Sequence, residues 1–96
     1  MAVYIMSQLT IHDRDRYTQY EEGFMEVFEQ FNGKMLSVDE DPKVLMGDWT
    51  ATRSVLIEFP DKKSAYAWLM SEEYQEISKH RIAASTANSI LVQGLD

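Results

Sequence analysis

Tyr17, Tyr20, Phe24, Val27, Phe28 and Phe31 recur at steps of three and four residues, so on a helix they fall in one stripe. A stripe this bulky is unstable in water and demands a second layer to bury it. Glu22, Glu26, Glu29 and Gln30 lie between these positions and give the helix its solvated side. Asp13 is the natural N-cap, because its carboxylate accepts the orphan amide hydrogens of a first turn. Asn32-Gly33 closes the helix, with Gly33 expected in the left-handed conformation that helix ends favour.

The second layer is read from the flanking segments. Residues 3–11 (VYIMSQLTI), 34–39 (KMLSVD), 53–59 (RSVLIEF) and 87–93 (ANSILVQ) are rich in β-branched, aromatic or alternating residues and predict strands. Residues 43–47 predict a further extended run after the turn Asp39-Glu40-Asp41-Pro42. Pro60-Asp61 stops the third main strand and launches helical material over 62–84, broken in two near Ser71. Ala65, Trp68 and Leu69 supply the apolar face of its first piece; Tyr74, Ile77 and Ile82 serve the second. The order β-α-β-β-α-β, with no linker, predicts an α+β ferredoxin-like sandwich: an antiparallel sheet with both helical regions on one face. Residues 1–96 are expected to form one domain.

Such a sheet leaves one face without helices, and strand parity assigns residues to it. Arg53, Val55, Ile57 and Phe59 point one way with Val3, Ile5 and Leu9, and this set is the more apolar. The opposite parity carries Tyr4, Met6, Gln8, Leu56 and Glu58, and the last strand is expected to add Ser89 and Leu91. This mixed face is too apolar for bare surface and too polar for a dry core. A homodimer packed sheet against sheet satisfies it.

Composition excludes several classes of partner. Sixteen acidic residues against nine basic give a net charge of −7, which repels nucleic acid and anionic membranes. Cysteine is absent, removing disulfides, zinc–thiolate sites and thiol nucleophiles. The apolar start lacks a basic n-region and a cleavage site, so the expectation is a soluble cytoplasmic protein. The two histidines, His12 and His80, fit no metal spacing. Four glycines form neither a G-x-G-x-x-G fingerprint nor a P-loop. No metal and no cofactor is expected.

One set of residues also resembles a known family over nearly the whole chain. Asp13 with Tyr17 and Tyr20, Gly33 with Leu36, Gly47-Asp48-Trp49 before Arg53, and Glu58-Phe59-Pro60 carry it, followed by Ala65, Trp68, Ser71, Tyr74, Arg81 and Gly94. The pattern is similar to the domain of unknown function 1330 family of the dimeric α+β barrel superfamily. Two positions depart from it. Asn32 replaces a first glycine, and Ser71-Glu72-Glu73-Tyr74 lacks a proline after its serine. The resemblance implies a ferredoxin-like protomer that dimerises through its sheet, and supplies no reaction. The wider superfamily holds cofactor-free monooxygenases, isomerases, haem-degrading enzymes and non-catalytic ligand binders.

The candidate site residues each carry two readings. Arg53 is either a guanidinium fork for a ligand carboxylate or phosphate, or the partner of Asp48 or another acid that pins a loop. Trp49 stacks on a flat ligand or rims a dimer. Glu58, desolvated inside a sheet-to-sheet interior, is a candidate general base; otherwise it bridges the dimer. Tyr17 and Tyr20 belong to the core stripe, with hydroxyls able to reach a ligand. His12 is a second candidate for proton transfer or is simply solvated. The resulting functions are a dimer that binds a small anionic or aromatic molecule near Arg53, Trp49 and Asp48, a cofactor-independent enzyme using Glu58 or His12 as base, or a ligand-free interaction module. The letters leave open whether there is catalysis.

Overall fold

The computed structural model describes residues 1–95. In chain order it contains strand β1 (Val3–Ile11), helix α1 (Arg14–Phe28), a 3-10 turn (Glu29–Phe31), strand β2 (Lys34–Asp39), strand β3 (Arg53–Phe59), helices α2 (Lys62–Leu69) and α3 (Glu72–Ala84), and strand β4 (Ser85–Gln93). The strands form one antiparallel sheet in the order β2-β3-β1-β4. The two central strands, β1 and β3, are joined through α1 and β2, so the chain order follows the ferredoxin-like pattern.

Local chemistry explains the boundaries. The Asp13 carboxylate accepts from the Arg16 amide at 3.1 Å, and Asp61 does the same for Ser64 at 2.8 Å. Ser71 closes one helix and opens the next: its hydroxyl donates to the Trp68 carbonyl at 2.9 Å and accepts from the Tyr74 amide at 3.1 Å. A proline after Ser71 is therefore unnecessary for the break. The serine hydroxyl satisfies orphan groups on both sides of it.

The stripe on α1 meets the sheet as anticipated. Tyr17, Tyr20, Phe24, Val27 and Phe28 are buried with Val3, Ile5, Leu9, Ile57 and Phe59, which share one face of the sheet. Trp68 from α2 joins them, its ring 5.5 Å from both Phe28 and Phe59 and 6.0 Å from Phe24. Gly23 allows α1 to approach α3, since a Cβ there would sit 3.0 Å from Ile77 Cγ2.

Five expectations are corrected. First, residues 43–47 form no strand; Val44, Leu45 and Met46 lie exposed in the connection between β2 and β3. Their β propensity has no ladder to join, and an unpaired extended segment gains nothing from being a strand. Second, the left-handed residue after α1 is Asn32 (φ 64°), not Gly33. Gly33 serves space instead: a Cβ there would lie 2.4 Å from Phe28 Cζ and 2.8 Å from Phe59 Cε1. Third, the pairing of Ser7 with Ser89 and Ile5 with Leu91 turns Ser89 and Leu91 toward the helices. Ile90 and Val92 consequently join Tyr4, Met6, Leu56 and Glu58 on the open face. The run Ser-Ile-Leu-Val-Gln is apolar at both parities, and only the register with β1 decides between them. Fourth, Ile82 is 64% exposed and packs into no core. Fifth, β4 begins at Ser85, two residues before the expected strand.

The Gly33 contact generates a prediction. Gly33→Ala should destabilise the fold by about 1–3 kcal/mol, because both aromatic neighbours are held in a packed cluster and have little room to yield. Urea denaturation of wild type and variant measures this directly.

Candidate functional site

The helices do not fill the space over the sheet evenly. At one end Phe24, Phe28, Phe59 and Trp68 interlock. At the other, three of the side chains that face the helices from β1 and β4 are small: Ser7, Ala87 and Ser89. Ser7 lies opposite Ser89 and Leu9 opposite Ala87, and the two serine hydroxyls share a hydrogen bond of 2.7 Å. Short side chains under a helical layer leave unfilled volume, and a cavity of about 720 Å³ lies there. That is within the roughly 300–1,000 Å³ range of ligand pockets.

Helical spacing determines what lines it. From α1 come Tyr17, Tyr20, Glu21 and Phe24; from α3 come Tyr74, Ser78 and Arg81, at steps of four and three; Trp68 and Leu69 approach from α2, and Met70 from the residue that caps it. The sheet contributes Ile5, Leu9, Arg53, Val55 and Ile57. The walls are chiefly aliphatic and aromatic, with a few polar groups converging on them.

Two polar constellations stand out. The first is a ring of charges at the Arg53 end. Arg53 donates through Nη1 to Glu40, and its Nη2 lies 3.3 Å from Glu21. Arg14 contacts the same two carboxylates at 3.0 and 3.2 Å. Tyr17 lies beside both cations, its ring centroid 5.3 Å from the Arg53 Cζ and 5.6 Å from that of Arg14. Desolvation pushes the Glu40 carboxyl up, but the hydrogen bond and charge of Arg53, together with Arg14, outweigh it and hold the group below its usual range. Arg53 thus ties β3 to α1 and to the connection after β2. Its Nε–H is buried without a hydrogen-bond partner among the described residues, as is the indole N–H of Trp68.

The second constellation is the phenol pair. Tyr20 and Tyr74 share a buried hydroxyl hydrogen bond of 2.9 Å across α1 and α3. Burial pushes the Tyr20 phenol well above its ordinary value, and Tyr74 beside it adds to the rise. Tyr17 is also raised by burial, partly offset by the positive charge of Arg53.

Of the residues singled out from sequence, Arg53, Tyr17 and Tyr20 meet at the cavity; Trp49, Asp48, Glu58 and His12 do not line it. Asp48 and Trp49 lie in the connection before β3, Trp49 at 41% exposure, and the acids on Arg53 are Glu21 and Glu40. Glu58 lies on the open face between its cross-strand neighbours Tyr4 and Lys34. His12 is exposed, its backbone N–H bonded to the Ala84 carbonyl at 2.9 Å. His80 accepts at Nδ1 from Arg16 Nε at 2.8 Å, tying α1 to α3. The cavity is therefore on the helical side of the sheet and not on the face where the sequence suggested a liganded interior. Sequence reasoning missed Glu21, Glu40, Ser78 and a site role for Arg81. For Ser78 and Arg81 the available signal was their helical spacing from Tyr74.

An antiparallel β2-β3-β1-β4 sheet with helices packed on one face defines an α+β protein of the ferredoxin-like kind. Within it, the chain belongs to the family described as a domain of unknown function (DUF1330), whose sequence profile matches residues 2–95. Similar solved structures include a protein of unknown function from Rhodopseudomonas palustris, at 19% identity and a TM-score of 0.84, covering 99% of this chain and 83% of that one. A dimeric ferredoxin-like protein of unknown function from Jannaschia sp. CCS1 matches at 11% identity and a TM-score of 0.70, covering 98% and 100%. A cofactor-independent oxygenase from Streptomyces nogalater matches at 14% identity and a TM-score of 0.68, covering 99% and 94%. Identities this low establish shared fold alone. No curated protein matches the chain. Among the described residues, no helix is long and apolar enough to cross a membrane.

Two outcomes follow from the phenols. Tyr20→Phe leaves the Tyr74 hydroxyl buried and unpaired, an expected cost of about 1–3 kcal/mol, whereas Tyr20→Phe with Tyr74→Phe should recover much of it; a double-mutant cycle by urea denaturation reads the difference. The pH dependence has a definite sign. Folded phenols with raised pKa values stay protonated while unfolded ones ionise near their ordinary value of about 10. The stability they confer is complete below about pH 10 and declines as pH rises through the elevated folded values. Denaturation midpoints should drop on that alkaline side, and Tyr20→Phe should flatten the drop.

Proposed function

We propose that this protein binds a small organic molecule, aromatic or anionic, in the cavity between its helices and its sheet. The observation that carries the reading is the cavity itself: about 720 Å³ of space with an apolar and aromatic wall, into which only a few polar groups converge. Tyr17, Tyr20 and Arg53 are its proposed contacts from the sequence-derived set. Trp49 and Asp48 are assigned to the loop that borders β3, with no direct contact to the cavity.

The protein is further proposed to pair with a second copy through the open face of the sheet. Tyr4, Met6, Leu56, Ile90 and Val92 share that face, and Met6 and Ile90 are 47% and 59% exposed. Among the described residues no helix packs over them, and a similar solved structure is described as dimeric. The cofactor-independent enzyme reading draws on the fold shared with an oxygenase. A base acting in the cavity would be Glu21, the carboxylate lining it; Glu58 would act only inside a sheet-to-sheet interior, and His12 lies outside both.

A thermal-shift screen of small aromatic acids, phenols and aromatic amides tests the cavity. A ligand at about 100 times its dissociation constant stabilises the folded state by about 2.7 kcal/mol. Ala87→Phe, which fills the cavity floor, should abolish a shift seen in wild type. A screen in which nothing shifts wild type sinks the binding proposal. For the dimer, light scattering should give twice the chain mass, and Met6→Glu with Ile90→Glu should return the monomer. A wild-type monomer at high concentration would overturn it.

A further inference from the structure

The two arginines at the cavity differ in electrostatic standing. Arg53 is compensated: Glu40 and Glu21 both contact its guanidinium, and Arg14 completes the ring. An incoming anion would have to compete with two carboxylates already seated on its Nη atoms. Arg81 lines the same cavity from α3, is half-buried, and has no ion pair or side-chain hydrogen bond among the described residues. Its positive charge acts on both Tyr17 and Tyr20, pulling against the burial that raises them.

A half-buried guanidinium without a counter-charge is a costly arrangement, and placing an anion against it removes the cost. The guanidinium also supplies the planar donor fork that matches a carboxylate in bidentate fashion. Around it the wall is apolar and aromatic: Tyr17, Tyr20, Phe24, Trp68 and Tyr74. Building on the cavity reading above, we propose that Arg81 is the anion anchor of this site and that its ligand is a small organic monoanion, an apolar or aromatic body bearing one carboxylate or equivalent oxyanion. One charge is specified because the cavity offers one uncompensated cation. The negative group lies against Arg81 and near the Tyr17 hydroxyl, and the body fills the space above Ser7, Ser89 and Ala87.

The test compares two probes of matched shape, 2-naphthoate and its neutral analogue 2-naphthamide, by isothermal titration calorimetry. Wild type should bind the naphthoate more tightly by about tenfold to a hundredfold, the scale of a charge-assisted hydrogen-bonded pair. Arg81→Met should erase that preference while still binding the amide, and Arg81→Lys should retain part of it. Circular dichroism of each variant checks folding, which Arg81 does not support through any side-chain bond. An unchanged preference in Arg81→Met overturns the assignment, as does a preference lost in Arg53→Met and kept in Arg81→Met. If neither probe binds wild type although the thermal-shift screen finds a ligand, the anion assignment is overturned and the cavity reading stands; if the screen also finds none, both fall.

Discussion

The interlock of Trp68 with Phe24, Phe28 and Phe59 is the contact on which the rest of the molecule depends. It joins α2 to α1 and both helices to β3, with ring centroids 5.5 to 6.0 Å apart. Each such pair contributes about 0.5–1.5 kcal/mol beyond its area burial, and the rings together exclude water from the layer between helices and sheet. Gly33 lies against Phe28 and Phe59, where even a methyl group would collide. The chain can leave α1 and enter β2 at that point only because the residue has no side chain.

Clamping one end of the helical layer so firmly has a consequence for the other. The sheet beyond the clamp presents Ser7, Ser89 and Ala87, which are too short to meet α1 and α3. The tyrosine bridge between Tyr20 and Tyr74 and the Arg16–His80 contact hold those two helices to each other instead. The result is a space whose walls are fixed by aromatic packing and by hydrogen bonds but whose floor is low. The same rings that stabilise the fold therefore shape the cavity, and core packing and cavity wall are not separable at Tyr17, Tyr20 and Trp68.

Charge is distributed to match. The acidic excess of the chain supplies two carboxylates to Arg53, so the arginine that looked most like a ligand anchor from its place at the start of a strand is a brace between β3, α1 and the β2–β3 connection. Arg81 stands apart from that ring although it lines the same cavity. Against a net charge of −7, Arg81 has no ion pair among the described residues, which is why the proposed ligand is an anion.

The N-cap at Asp13, the helix start after Pro60-Asp61 and the break at Ser71 were legible in the letters because each rests on neighbours within a few residues. The α1 stripe was legible for the same reason, since a helix repeats every 3.6 residues wherever it folds. Parity worked for β1 and β3, where the ends Leu9 and Phe59 mark the buried side, and failed for β4, where Ile90, Leu91 and Val92 run together between polar residues and only pairing with β1 assigns the faces. Tertiary structure alone decided which acids meet Arg53, that 43–47 finds no partner strand, and that the hollow opens under the helices. Those depend on contacts between residues far apart in sequence, such as Arg53 with Glu21 and Ser7 with Ser89, and on how short side chains of one layer face long ones of the other. Local propensity carries no information about either.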